Sequence, residues 1–121
     1  MLDLVDQVGA NPITIHALSS GFVDIATITA WVTAHSVTTI NIATLYDQSP
    51  TGIHATQVTL AKMPPLLLNT LNGLPVMNIP SGTFWVETQT TTSTPNPITY
   101  SMVAKTNWQL YWSGTNWRDR S

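Results

Sequence analysis

The carboxylates are the first side chains in this sequence that could do chemistry, and they are few. Six aspartates and glutamates are scattered over 121 residues, and only Asp3 and Asp6 stand close together along the chain. Because chain ends are commonly poorly ordered, we interpret this pair as solvated in a mobile terminus. Folding could unite distant carboxylates, so a two-carboxylate hydrolase remains a minor alternative. No serine lies in a G-x-S-x-G motif, and the glycines are isolated, so the sequence predicts no enzyme and no cofactor.

The histidines are the next candidates, as metal ligands. His16, His35 and His54 are the only three, no cysteine is present, and neither H-x-H nor H-E-x-x-H occurs. Metal sites such as those of zinc need several nitrogen or sulfur ligands at defined spacing. We therefore predict no metal site. One alternative stays open, in which a single histidine from each subunit meets its copies on the axis of a symmetric oligomer.

Tryptophan gives the strongest indication of binding, since four of the five fall in the last 37 residues. Exposed tryptophan and tyrosine rings stack on sugars, and their polar edges form hydrogen bonds. The candidate residues for binding a glycan or a protein partner are Trp108, Tyr111, Trp112, Trp117 and Arg118. In particular, Trp117 and Arg118 could form one glycan platform. The alternative is that tryptophans fill the core of a small β domain. We expect at least two of the four tryptophans in the last 37 residues to lie in that core.

The composition indicates a subunit of an assembly. Charged residues make up 8% of the chain, against about 25% in typical proteins. Twenty residues are threonine, which suits a surface covered by copies or partners. The net charge of −2 argues against nucleic-acid binding, because that needs a basic stripe. Residues 25–46 carry no formal charge, but their threonines argue against a membrane span. The acidic N-terminus is unlike a secretory signal.

The elements that would position these residues are mostly strands. Residues 22–35 combine helical spacing of apolar residues with Asp24 at the start, which favours a short helix. Alternation predicts strands over residues 36–46 and 53–63. Four prolines in residues 64–82 predict an irregular connection there. We thus expect a mainly β fold: a small antiparallel β domain with one short helix near residues 22–35. Residues 1–36 would form an N-terminal docking or oligomerisation arm, and residues 37–121 a β-rich domain.

The C-terminal third has the clearest strand pattern. "SGTFWVETQT" and "ITYSMVAKT" are predicted strands, and "NWQLYW" and "WRDR" are predicted to form a hairpin around a turn at Ser113–Asn116. In its first arm Trp108, Leu110 and Trp112 would share one face.

This third resembles the terminal knob modules of phage and pyocin tail fibres. Those modules run G-x-(aromatic)-x-V, a further strand, and a closing aromatic segment that ends in tryptophan and a basic residue. The residues that match are Gly82, Phe84, Trp85, Val86, Tyr111, Trp112, Trp117 and Arg118. The closing hairpin is shorter than usual, and Trp112 stands where the family often has arginine. Residues 82–121 would then be the knob-like part of the chain.

The resemblance implies a virion protein, commonly a homotrimer, that presents a β-rich tip to glycans on the host surface. The leading interpretation is therefore a fibre, spike or knob subunit of a phage. A capsid or tail decoration protein, which cements neighbouring subunits, is a second. A free carbohydrate-binding module is a third. Other virion proteins would be its partners, and neither nucleic-acid binding nor membrane insertion is expected.

Overall fold

The computed structural model describes residues 1–48, 50, 52 and 54–79, together with the backbone of residues 87–88, 109–112 and 117–120. The chain forms two compact units, Met1–Thr91 and Thr92–Ser121. The architecture is mainly antiparallel strands with one short α-helix, so the predicted fold class is confirmed.

The first unit is built on a five-stranded antiparallel sheet. Its strands are β1 (Leu2–Val5), β2 (Ile13–Ile15), β3 (Asn41–Leu45), β4 (Ala55–Thr56) and β7 (Glu87–Thr88). Their spatial order is β2-β1-β3-β4-β7. Strand β1 is therefore an interior strand that pairs with β2 on one side and with β3 on the other.

Within the described residues there is one α-helix, α1, which spans Ile25–His35 and confirms the predicted helix. It begins after Asp24, whose carboxylate accepts a hydrogen bond from the backbone N–H of Thr27 over 3.0 Å. Such a cap satisfies one of the amides that have no partner within a helix. The helix ends at His35, and the next residue, Ser36, adopts the left-handed conformation. Its buried residues, Ile28 and Trp31, face the core.

The hydrophobic core lies between this helix and the sheet. It consists of buried side chains from β1, β2, α1, the connection between α1 and β3, β3 itself and the start of the following hairpin: Leu4, Ile15, Ile28, Trp31, Val37, Ile40, Ile42 and Leu66. Leu4 and Ile28 are fully buried. Elements from both sides of residue 36 thus share one core, because a short sheet buries apolar surface only when the helix covers it.

This shared core changes the predicted domain boundary. Residues 1–36 supply β1, β2 and α1 to the same compact unit as β3, and the division between units falls at 91/92 rather than 36/37. The role of residues 1–36 in docking or oligomerisation stays a prediction.

Residues 64–82 contain a hairpin where an irregular connection was predicted, and that prediction was wrong. Strands β5 (Leu66–Leu71) and β6 (Leu74–Met77) pair antiparallel around Asn72 and Gly73. Both turn residues have positive φ, 51° and 79°, as the tight turns of two-residue hairpins require. The backbone N–H of Leu66 donates to the carbonyl of Ile40 over 2.8 Å, which joins the hairpin to the chain entering β3.

The strand predicted over residues 53–63 was also wrong for most of its length. Among the described residues of this segment, the strand is limited to β4, which pairs with β3, and a 3₁₀ turn follows at Leu60–Lys62. Alternation of threonine with apolar residues in this segment does not mark burial, since Val58 is 85% exposed.

The second unit contains the predicted C-terminal hairpin. Strands β8 (Gln109–Trp112) and β9 (Trp117–Arg120) pair antiparallel. The strand predicted at residues 98–106 and the turn predicted at Ser113–Asn116 lie outside the described residues. Of the strand predicted at residues 81–90, the described part is β7.

Candidate binding site

The register of the C-terminal hairpin determines which candidate residues can act together. Trp112 lies directly opposite Trp117, and Tyr111 lies directly opposite Arg118. Opposed positions in an antiparallel pair lie on the same face of the sheet, and successive positions lie on opposite faces. Four of the five candidate residues therefore form two cross-strand pairs on different faces. Trp108 lies outside the described residues.

The two faces of the hairpin differ in chemistry. One, here called the aromatic face, comprises the positions of Leu110, Trp112, Trp117 and Asp119. The other, here called the polar face, comprises the positions of Gln109, Tyr111, Arg118 and Arg120. Aromatic positions suit packing or stacking on sugar rings. Positions of arginine, tyrosine and glutamine suit hydrogen bonding to polar or anionic groups.

This register separates Trp117 from Arg118. They are successive residues of β9 and so lie on opposite faces. The single platform expected from both residues is therefore replaced by two pairs, Trp112 with Trp117 and Tyr111 with Arg118.

A second polar cluster lies in the first unit, and sequence reasoning missed it. Asp3 of β1 accepts hydrogen bonds on both carboxylate oxygens. Thr14 Oγ1 donates to its Oδ1, and Tyr46 Oη donates to its Oδ2, each over 2.7 Å. Thr14 is the residue directly opposite Asp3 on β2, whereas Tyr46 follows β3. Only knowledge of the strand pairing could have brought these three residues together.

His54 extends this cluster toward β4. Its ring packs against the ring of Tyr46, with centroids 4.5 Å apart and planes inclined by 59°. The backbone N–H of Asp47 donates to His54 Nδ1 over 3.1 Å, so the neutral ring carries its proton on Nε2. The histidine thereby links the two ends of the segment that joins β3 to β4.

This cluster links neighbouring strands through hydrogen bonds. The hydrogen bond to Asp3, followed by burial and the negative charge of Asp3, raises the pKa of Tyr46 above its ordinary value. A tyrosine with a raised pKa is neutral at physiological pH and acts as a donor rather than as a base. Both oxygens of Asp3 already accept hydrogen bonds from the chain itself.

The N-terminal acid pair was expected to be mobile and solvated, and for Asp6 that expectation was wrong. This side chain is 2% exposed. Its Oδ1 accepts from the backbone N–H groups of Val8 and Ala10, over 2.9 and 2.8 Å, and its Oδ2 accepts from Asn11 Nδ2 over 2.8 Å. Burial by itself would raise the pKa of Asp6, but the three hydrogen bonds outweigh it and lower the pKa. Asp6 is thus the organising residue of the loop between β1 and β2.

The same loop is attached to the core. Trp31 Nε1 donates to the carbonyl of Asn11 over 2.9 Å, and Asn41 Nδ2 donates to the carbonyl of Asp6 over 2.9 Å. The polar groups of this loop are therefore hydrogen-bonded to other parts of the same chain.

The remaining features of the first unit carry less chemistry. A cavity of about 400 Å³ lies beside the start of β5 and is lined by threonine, proline and aliphatic residues, Val37, Ile40 and Leu66 among them. Within the described residues, no group of three or more histidines and carboxylates is placed to hold a metal ion. In that part of the chain no helix is long and apolar enough to cross a membrane.

Comparison with known proteins gives no match to any protein-family model, curated protein or solved structure.

Proposed function

We propose that this chain is a structural protein of a phage virion, a fibre, spike or knob subunit that contributes to attachment to the host surface. The observation that carries the proposal is the register of β8 and β9, which pairs Trp112 with Trp117 and Tyr111 with Arg118. A short hairpin with aromatic pairs and polar pairs on opposite faces can pack by one face and contact a ligand with the other. The resemblance of residues 82–121 to tail-fibre knobs supports the same function.

The composition supports a place in an assembly, for which we propose a homotrimer in the virion. A charge content of 8% gives a free subunit little electrostatic protection against association. Large apolar side chains are also exposed in the first unit: Val8 is 70% and Phe22 is 59% exposed. Contacts with copies or with other virion proteins would cover them.

A decoration protein that cements capsid subunits is the second candidate, and one observation favours it. Leu18 and Phe22 lie together on an exposed turn, closed by a backbone hydrogen bond of 2.8 Å from Leu18 N–H to the carbonyl of Phe22. A hydrogen-bonded turn with two exposed apolar residues is suited to contact with a neighbouring protein. In that case the first unit, and not the hairpin, would make the contact.

Two measurements test the proposal. Light scattering on a sizing column should give the mass of three subunits at two protein concentrations. Labelled protein should adsorb to a panel of bacterial cells. Either Trp117→Ala, on the aromatic face, or Arg118→Gln, on the polar face, should lose adsorption while keeping the trimer mass. Thr33→Ala, at an exposed site on α1, is the matched control and should adsorb normally. A monomer that binds virion shells but no cells would favour the decoration protein instead.

A further inference from the structure

The polar face of the hairpin gathers half of the positive charge of the chain. The chain has four lysines and arginines in total, and Arg118 and Arg120 occupy alternate positions of β9, on one face. Strand geometry separates such positions by about 7 Å. The opposed positions on β8 are Tyr111 and Gln109. This face thus presents two cationic positions in a row, each with a hydrogen-bonding residue type across from it.

We infer that the polar face binds an acidic saccharide, a sugar chain carrying carboxylate or phosphate groups. The inference rests on the proposed function and specifies the class of glycan. Arginine binds carboxylate and phosphate through paired hydrogen bonds. Two arginine positions about 7 Å apart on a strand match a ligand with repeated negative charges rather than a single anion. Tyrosine and glutamine supply the ring surface and the amide that recognise sugar hydroxyls.

Long-range attraction does not explain such binding, because the chain carries a net charge of −2. An anionic polymer is repelled by the molecule as a whole and must be held by local contacts. The same argument favours a saccharide over a nucleic acid. Binding to a nucleic-acid backbone draws its affinity from many phosphate contacts, and this face has two arginine positions.

Asp119 provides an internal control for this inference. It lies between the two arginines in sequence but on the aromatic face, opposite Leu110. If the ligand contacts the polar face, Asp119→Asn should leave the affinity unchanged. If instead net charge determines binding, removal of this negative charge should strengthen binding to any polyanion.

The test uses the full chain and two polymers, polygalacturonate, which has a carboxylate on every sugar, and neutral dextran, measured by isothermal titration calorimetry. Wild-type protein should bind polygalacturonate, with an affinity that falls as salt is added, and should bind dextran weakly. Arg118→Gln and Arg120→Gln should each weaken binding to polygalacturonate roughly tenfold. Arg118→Lys keeps the charge and should lose less, which also guards against a variant that fails to fold.

The outcomes separate this inference from the proposed function. Equal binding of both polymers, absence of binding to either, or unchanged affinity in both arginine variants would overturn the acidic-saccharide inference. So would displacement of polygalacturonate by an equal charge concentration of single-stranded DNA. The proposed function would still stand if wild-type protein adsorbs to cells and Trp117→Ala does not. Loss of adsorption in both arginine variants, with Asp119→Asn adsorbing normally, would support both.

Discussion

Tyr46 donates its phenolic hydrogen to Asp3 Oδ2 over 2.7 Å, across a separation of 43 residues. The backbone N–H of Tyr46 also donates to the carbonyl of Met1 over 3.1 Å. These two bonds extend the pairing of β1 with β3 beyond the last strand residue. They attach the beginning of the chain to the sheet that carries the core.

Removal of the Tyr46 hydroxyl should weaken this attachment at neutral pH. Tyr46→Phe keeps the ring that packs on His54 but leaves Asp3 Oδ2 without its donor, so we expect a modestly lower melting temperature. Because the hydrogen bond raises the pKa of Tyr46 above 10.0, its contribution is complete below the unfolded pKa. That contribution is lost as pH rises through the folded pKa.

Thermal melts between neutral and alkaline pH would check this, together with a spectroscopic titration of tyrosine ionisation. Subtracting the titration curve of Tyr46→Phe from that of the wild type should isolate one tyrosine that ionises at a higher pH than a free tyrosine. A difference titration at the ordinary tyrosine pKa would show that the bond to Asp3 does not form in solution.

Asp6 should make the stability of the first unit sensitive to acid. Its hydrogen bonds lower the pKa of the carboxyl below 3.8, so its contribution is present above the unfolded pKa and is lost as pH falls through the folded pKa. Asp6→Asn keeps an acceptor for Val8 and Ala10 but cannot ionise. The free energy of unfolding of this variant should therefore fall less than that of the wild type as pH is lowered. Asp6→Ala removes the acceptor for three donors and should be less stable than Asp6→Asn at every pH.

Denaturant unfolding of the three proteins from neutral to acidic pH measures these differences. Equal stability of Asp6→Ala and wild type at neutral pH would mean that the loop between β1 and β2 does not need its organising residue.

The parts of the fold that sequence predicted correctly are those with local signals. Helix α1 follows from the spacing of Ile25, Ile28 and Val32 and from the cap at Asp24. The C-terminal hairpin follows from alternation on either side of a Ser–Gly–Thr–Asn segment. The β5–β6 hairpin also had a local signal in Asn72–Gly73. The neighbouring prolines outweighed it in our interpretation, although Pro75 is part of β6 in the folded chain.

The site was less predictable than the fold. Alternation identifies the faces of one strand, but the pairing of Tyr111 with Arg118 depends on the register between two strands. Asp3 and Tyr46 meet because β1 lies beside β3, a relation that neither segment encodes alone. Asp6 had a usable signal, since aspartate followed by glycine and asparagine is typical of a tight loop. Its burial, and the hydrogen bond from Asn41 Nδ2 to its carbonyl, depend on the tertiary fold.

Gly73 should be the residue on which the β5–β6 turn depends. Its φ is 79°, in the left-handed region, while the nearest atom to an added Cβ would be Asn69 Oδ1 at 3.6 Å, an ordinary contact. The penalty of Gly73→Ala therefore comes from the backbone, and we expect a loss of roughly 1–2 kcal/mol in the free energy of unfolding. Gly73→Asn should lose less, because asparagine tolerates this conformation. Denaturant unfolding would check the order, and equal losses in the two variants would argue for a steric cause.

The cross-strand pairs of the C-terminal hairpin predict which double substitutions are coupled. Trp112 and Trp117 occupy opposed positions, and aromatic pairs contribute about 0.5–1.5 kcal/mol beyond burial. A double-mutant cycle with Trp112→Ala and Trp117→Ala, measured by denaturant unfolding, should give a coupling energy in that range. The matched cycle with Tyr111→Ala and Trp117→Ala involves positions on opposite faces and should be additive within about 0.5 kcal/mol. If the second cycle is coupled and the first is additive, the strands pair one residue out of this register. Arg118 would then move to the face of Trp112, and the separation of aromatic and polar faces, on which the acidic-saccharide inference depends, would be lost.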